Sequence, residues 1–337
     1  TLGFEEGSFD ETAQAKRLAE GMGATPIAQN FRSEELLDSI EEIMGTADEP
    51  LADPSVLPTW QLSRLARSKV KVVLSGDGGD ELFGGYPTYV AHQWIKPYQR
   101  IPLGLRRLMT SVVQQLPVSH QNMSLDFRLK RFLRGAEAPF IERHLLWMGS
   151  FGPSERKALW SKQAEPTGIS PEHLCQQFAG VGHPDLSAAA MFLDFQSYLV
   201  DDLLVKVDRM SMVHGLEVRV PFLDPKLVEF ALRLPSRLKV SSAQTKILMR
   251  RALRGKVPDS VLGRPKKGFG IPVAKWLSGE LNTWARDQLS DKRLAKHGLW
   301  NPTMVQRLLE EHTSGQRNHA KLLWTLLTFQ MWYHNHS

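Results

Sequence analysis

Val70–Tyr89 reads VKVVLSGDGGDELFGGYPTY. A β-branched run, Val70, Val72 and Val73 with Leu74, stops at Ser75-Gly76 and gives way to Gly78, Gly79, Gly84 and Gly85. Three carboxylates, Asp77, Asp80 and Glu81, are threaded between those glycines. Clustered glycines let backbone approach a ligand closely and adopt left-handed conformations. Carboxylates packed this tightly repel one another unless a cation sits among them. The run therefore reads as a buried strand ending in a loop at its carboxyl end, where open α/β sheets place their ligands. A polar strand-to-helix turn is the plain alternative, and the three acids favour a nucleotide–metal site over it.

Outward to the N-terminus, Thr1–Phe4 reads as the tail of a short strand. Asp10 can cap a helix running to about Gly21, with Ala15, Leu18, Ala19 and Met22 on one face. Gly23 ends it, and Thr25–Ala28 reads as a second strand. Ser33 starts a helix with Leu36, Leu37, Ile40 and Met44 as its apolar stripe and Gly45 as its stop. After an acidic, proline-bearing loop, Ser55–Arg67 is helical and leads into the strand at Val70. Strand, helix, strand, helix, helix, strand is the order of a parallel sheet with crossover helices.

Composition bounds the class. The 337 residues are 42% hydrophobic and 23% charged, ordinary values for a globular protein with ample core. The single cysteine, Cys175, excludes an internal disulfide and fits a reducing compartment, so the expected location is cytoplasmic. A net charge of +6 is mildly basic, but Lys and Arg are scattered, which argues against a nucleic-acid partner. There is no apolar run of about 18 residues, hence no expected membrane span. The opening TLGFEEGSFDE is neither a signal nor a transit peptide. It starts without methionine on what reads as a strand end, so a piece of something longer is expected.

Outward to the C-terminus, strands largely vanish. Trp94–Arg134 reads as basic and helical, broken by Pro97, Pro102 and Pro117, and 135–185 as an irregular helical excursion. Ala188–Leu199 and Asp201–Val213 read as helices. On the second, Leu203, Val207 and Met210 share a core face, while Asp202, Lys206 and Arg209 line another. Such spacing is usually a salt-bridged solvent face, but charges on a largely apolar helix need partners, and a substrate can be one. Glu217–Phe222 alternates polar and apolar up to Pro221, and Asp224 can cap a helix over Pro225–Leu234. The loop Arg264–Gly270, RPKKGFG, carries three cations and suits a polyphosphate, with a solvated basic turn as the alternative. The last quarter is helical, with Leu322, Leu323, Leu326, Leu327 and Trp332 packing and His334 and His336 in a frayed tail.

Three blocks, LSGDGGDELFGGYP at 74–87, DDLLVKVDRMSMVHGLEVRVPFLD at 201–224 and RPKKGFGIPVAKW at 264–276, together with GFEEGSFDE at 3–11, resemble the synthetase domain of glutamine-dependent asparagine synthetases. The resemblance implies a Rossmann-like, adenine nucleotide α-hydrolase-like α/β fold with a large helical C-terminal part. It divides the chain into a partial ATP-pyrophosphatase core over 1–95, a helical insertion over 96–185 and a helical remainder over 186–337. It also implies ATP and Mg²⁺ as cofactors and aspartate as substrate. The side-chain carboxylate would be adenylated with release of pyrophosphate, and ammonia would then displace AMP to give asparagine. That ammonia would come from glutamine through a separate glutaminase domain, and a homodimer is compatible with the rest.

Residue by residue, the resemblance makes Asp80 the metal ligand and Lys266 the cation that stabilises phosphate charge during adenylation. Leu74, Ser75 and Gly76 match nucleotide-contacting positions. Asp77 stands where many members carry Glu and would be the general base, on an arm one methylene shorter. Arg209 or Lys206 would face a substrate carboxylate. The family's Ser-Gly-Gly-x-Asp-Ser pyrophosphate loop, its first strand and its glutaminase domain have no match, so this chain alone is expected to be nearly inactive. A relative acting on another carboxylate, including a β-lactam-forming synthetase, stays open. So does, from another class, a non-catalytic basic interaction module.

Overall fold

A computed structural model describes residues 1–164, 170, 171, 173, 185–263, 268 and 270–336. The decisive run does form a strand, β3 (Val72–Leu74), and it pairs parallel with β4 (Glu217–Arg219) in the register Val72↔Glu217, Val73↔Val218 and Leu74↔Arg219. The ladder extends past the strand on both sides, through Glu217 N–H to the Lys71 carbonyl at 2.9 Å and Ser75 N–H to the Arg219 carbonyl at 2.8 Å. β3 is not buried, however. Val70, Val72 and Leu74 are 45%, 41% and 73% exposed. A parallel pair buries its faces only when crossover elements and neighbouring strands cover them, and this pair is a sheet of two.

A second parallel pair joins β1 (Leu2–Gly3) to β2 (Gln29–Asn30) through helix α1 (Thr12–Gly21). The strand expected at Thr25–Ala28 thus lies further along. Gln29 N–H bonds the Thr1 carbonyl at 3.1 Å and Phe31 N–H the Gly3 carbonyl at 2.9 Å, so pairing with β1, not local composition, sets its place. Helix α1 has no fully buried residue, and Met22 at its end is exposed. Asp10 bonds the Thr12 amide at 3.1 Å at its start.

Helices α2 (Ser33–Gly45) and α3 (Val56–Arg67) follow as expected. Ile40, Ile43 and Met44 of α2 and Val56, Leu57 and Trp60 of α3 join the main core. The same core takes Leu323, Trp324 and Leu327 from the last helix, Ala320–His336, so both ends of the chain share one interior. That helix includes His334 and His336, which therefore do not form a frayed tail. The Trp332 indole donates to the Asp48 carbonyl at 3.1 Å, and the His336 ring stacks on it at 5.0 Å.

Between β3 and β4 the described residues are largely helical. Helix α4 (Gly79–Phe83) is followed by α5 (Pro87–Gln99) and by the helices Leu103–Gln114, Leu125–Gly135, Phe140–Met148 and Pro153–Leu159. The stretch expected as one helix over Asp201–Val213 starts as a π-helical turn, Leu199–Leu204, and becomes α only over Val205–Met212. Wide turns of this kind need a distortion that a 3.6-residue periodicity does not reveal. Helix Val205–Met212 packs along α3, with Met210 fully buried between them and the core. Asp224 caps helix Pro225–Arg233 through the amides of Lys226 and Leu227. Among the described residues no helix is long and apolar enough to cross a membrane.

Candidate active site

The β3 strand delivers the chain into Ser75–Gly85. Gly78 has φ +84°, and a Cβ there would meet Leu223 Cδ2 at 2.4 Å, so glycine alone fits this turn. The short helix α4 then stands Asp80 and Glu81 in its first turn. Glu81 faces inward. It is 2% exposed and accepts a 2.5 Å hydrogen bond from the Tyr86 hydroxyl. Burial raises its carboxyl above the usual range, although the Tyr86 bond works the other way. Glu81 therefore holds the loop together and is no ligand for an incoming cation.

Asp77 and Asp80 are both half-buried and meet different partners. The Ser75 hydroxyl donates to the Asp77 carboxylate. Asp80 Oδ1 lies 2.6 Å from Lys246 Nζ. Asp80 is also pressed against Gly85, where a Cβ would stand 1.7 Å from Oδ1 and 2.6 Å from Lys246 Cε. The carboxylate and ammonium thus occupy a cradle that any larger residue at position 85 would fill. Leu74 and Gly76 are exposed beside them, at the open carboxyl end of β3.

The donor set fits Mg²⁺ in one specific manner. Mg²⁺ is usually bound through one or two carboxylates plus substrate phosphates and water. Among the described residues no group of three or more acid, histidine or cysteine side chains could hold a metal by itself. Asp80 therefore suits a cation that arrives with a phosphate chain better than one caged by protein.

Lys206 and Arg209, expected to face a substrate carboxylate, are directed to the loop before α3. The Lys206 side chain is 7% exposed, and its ammonium lies 2.6 Å from Asp53 Oδ2 and 2.7 Å from the Ser55 hydroxyl. Burial works to raise the Asp53 carboxyl, but the Lys206 ammonium and the hydrogen bonds from Ser55 together outweigh it and hold that carboxyl below its usual value. Arg209 forms an exposed pair with Asp48 at 2.5 Å. Asp202 sits nearby with Oδ1 buried and without a hydrogen-bond partner among the described residues. Burial first, then repulsion from Asp53, pushes its carboxyl up to about 7, against the pull of Lys206 and Lys321. Lys266 lies outside the described residues.

Several polar residues here escaped the sequence reading. Lys246 begins helix Ile247–Ala252 with φ +52° and ψ +37°, a left-handed conformation that lysine rarely adopts. Beneath the loop runs a buried chain of hydrogen bonds. The Tyr89 hydroxyl donates to Asp194 at 2.8 Å, Asp194 meets His144 Nε2 at 2.7 Å, and His144 Nδ1 meets His92 Nε2 at 3.1 Å. No local pattern announces these residues, because the partners come from helices far apart in sequence.

The loop at the carboxyl end of β3 thus carries two carboxylates, one of them paired with Lys246, at the end of a parallel strand where α/β sheets place their ligands. Comparison with known proteins gives the family. The asparagine synthase profile matches residues 1–334. A putative glutamine-hydrolyzing asparagine synthetase of Mycobacterium tuberculosis is 37% identical over 334 residues, 99% of this chain and 50% of that protein. The glutamine-hydrolyzing asparagine synthetase 1 of Bacillus subtilis is 32% identical, over 99% of this chain and 51% of its own length. The amidase chyE of Penicillium rubens is 24% identical over 90% of this chain and 48% of its own. The chain belongs to the asparagine synthase family, and it spans about half the length of these relatives.

Proposed function

We propose that this chain carries the synthetase site of an ATP-dependent amidation in which aspartate becomes asparagine through a β-aspartyl-adenylate. The aspartate side-chain carboxylate attacks the α-phosphorus of ATP and pyrophosphate leaves. Ammonia then attacks the acyl carbon, AMP leaves, and one proton is lost. The observation that carries this reading is the pairing of Ser75 with Asp77 and of Lys246 with Asp80 on one loop at the end of β3, in a chain of this family.

Asp77 is the residue to receive the proton. Its arm is shorter than glutamate's, and the Ser75 hydroxyl compensates by fixing the carboxylate's direction. Leu74 and Gly76 are exposed at the strand end, with Ser75 half-buried between them, as the proposed nucleotide contacts. Asp80 would hold Mg²⁺ together with phosphate oxygens, and the ion would neutralise charge on the departing pyrophosphate. Lys266 is proposed for the same task from the loop at 264–270. Lys206 and Arg209 remain proposals for substrate carboxylates, in which case the substrate must compete with Asp53 and Asp48 for them.

The two parallel strand pairs support parts of a Rossmann-like sheet of the adenine nucleotide α-hydrolase kind, with 96–185 as a helical insertion. Glutamine is the proposed source of ammonia, a reading that draws on the bacterial relatives named glutamine-hydrolyzing. A second reading, amidation of a different carboxylate, draws on the fungal relatives named amidases. Aspartate labelled with ¹⁸O in its side-chain carboxylate separates the readings in the protein as its gene encodes it. One ¹⁸O transferred to AMP is expected. Unlabelled AMP, or no AMP, contradicts adenylation of aspartate.

A further inference from the structure

The pair formed by Lys246 and Asp80 combines three features that independently point to one device. The ammonium lies 2.6 Å from Asp80 Oδ1, and both side chains are largely shielded, at 25% and 15% exposure. Gly85 is shaped around the pair, since a Cβ there would collide with the Asp80 carboxylate and with the lysine stem. The lysine backbone is left-handed, a conformation that persists only where its surroundings enforce it. Those surroundings are visible: Lys246 N–H donates to the Gly84 carbonyl at 3.3 Å, and Ile247 N–H to the Lys239 carbonyl at 2.9 Å. The residue is thus clamped to the loop that carries Asp80.

A divalent cation bound to Asp80 would sit about 2.0–2.1 Å from its oxygen. An ammonium 2.6 Å from that oxygen excludes it, by volume and by charge repulsion. The two can share the site only if the ammonium swings aside, and a polyphosphate gives it an alternative anion to meet. We propose that Lys246 is a built-in counter-cation that makes divalent-metal binding at Asp80 conditional on a phosphate chain. In that role Lys246 is a positioning residue. The inference rests on the reading of Asp80 as the metal carboxylate, and it predicts an order of binding that this reading alone does not.

Mn²⁺ binding, followed by the loss of its free-ion electron paramagnetic resonance signal in the protein as its gene encodes it, tests the proposal. Lys246→Gly removes the ammonium and suits the left-handed backbone, so its melting temperature should stay within a few degrees of wild type. Without nucleotide, Lys246→Gly should bind Mn²⁺ at least about tenfold more tightly than wild type, while Lys246→Arg stays weak. The gain should vanish in Lys246→Gly/Asp80→Asn. Equal Mn²⁺ affinity of wild type and Lys246→Gly, or a gain that survives the Asp80→Asn change, overturns the proposal. With ATP present, wild type should bind Mn²⁺ and Asp80→Asn should bind it at least about tenfold more weakly. If Asp80→Asn has no effect there, the reading of Asp80 itself fails, and the order of binding falls with it.

Discussion

Asp77 and Asp80 lie three positions apart and are proposed for different work because each has a different neighbour. The Ser75 hydroxyl keeps Asp77 directed, and Lys246 holds Asp80. Asp77→Asn keeps the size of the side chain and loses the base. Asparagine formation should fall by about 10²–10⁴-fold, the usual range for a general base, while aspartate-dependent AMP formation falls far less. An equal loss in both steps, measured by rapid quench, would remove Asp77 from proton transfer. Asp202 offers a test by pH. Its carboxyl is raised to about 7 by burial and by Asp53, so the folded state holds the proton more tightly than the unfolded chain. Stability from this group is fully present below the unfolded value of about 4 and is lost as pH rises through about 7. Asp202→Asn should therefore leave the melting temperature unchanged near pH 4 and raise it by at least about 2 °C at pH 8. A shift of equal size at both pH values would contradict that environment.

At the scale of elements, helix Val205–Met212 is tied to the loop before α3 by the buried pair of Lys206 and Asp53. Removing one member of such a pair leaves a buried charge without compensation, at a cost of about 3–5 kcal/mol. Lys206→Met should lose stability of that order in urea unfolding, and Lys206→Met/Asp53→Leu should recover much of it. A loss below about 1 kcal/mol would mean that the pair is solvated. The helical periodicity placed Lys206 on a shared face with Asp202 and Arg209, and it located α2, α3 and the Asp224 cap, because those signals are local. It gave no hint of the π turn at Leu199–Leu204, nor of Asp53 as partner, 153 positions away. The exposure of β3 was equally hidden. A β-branched run specifies a strand, whereas its burial depends on what covers it, and that is decided elsewhere in the chain. Nothing in the local sequence singles out Lys246, since only the folded backbone reveals its left-handed conformation.

Across the whole molecule, one interior joins the first sixty or so residues to the last helix, as Trp60 and Trp324 in a common cluster illustrate. The strand that carries the proposed site lies apart from that interior, with Val72 and Leu74 open. Stability and chemistry are thus unevenly distributed: the core secures the frame, and the loop at the carboxyl end of β3 carries the charged groups. The central claim is that this loop activates the carboxylate of aspartate at the expense of ATP. Pyrophosphate release by the protein as its gene encodes it, with MgATP and a panel of carboxylates, tests that claim most directly. Aspartate should stimulate release well above the ATP-only rate, and Asp80→Asn should abolish the stimulation. No stimulation by aspartate, with stimulation by another carboxylate, would contradict the account.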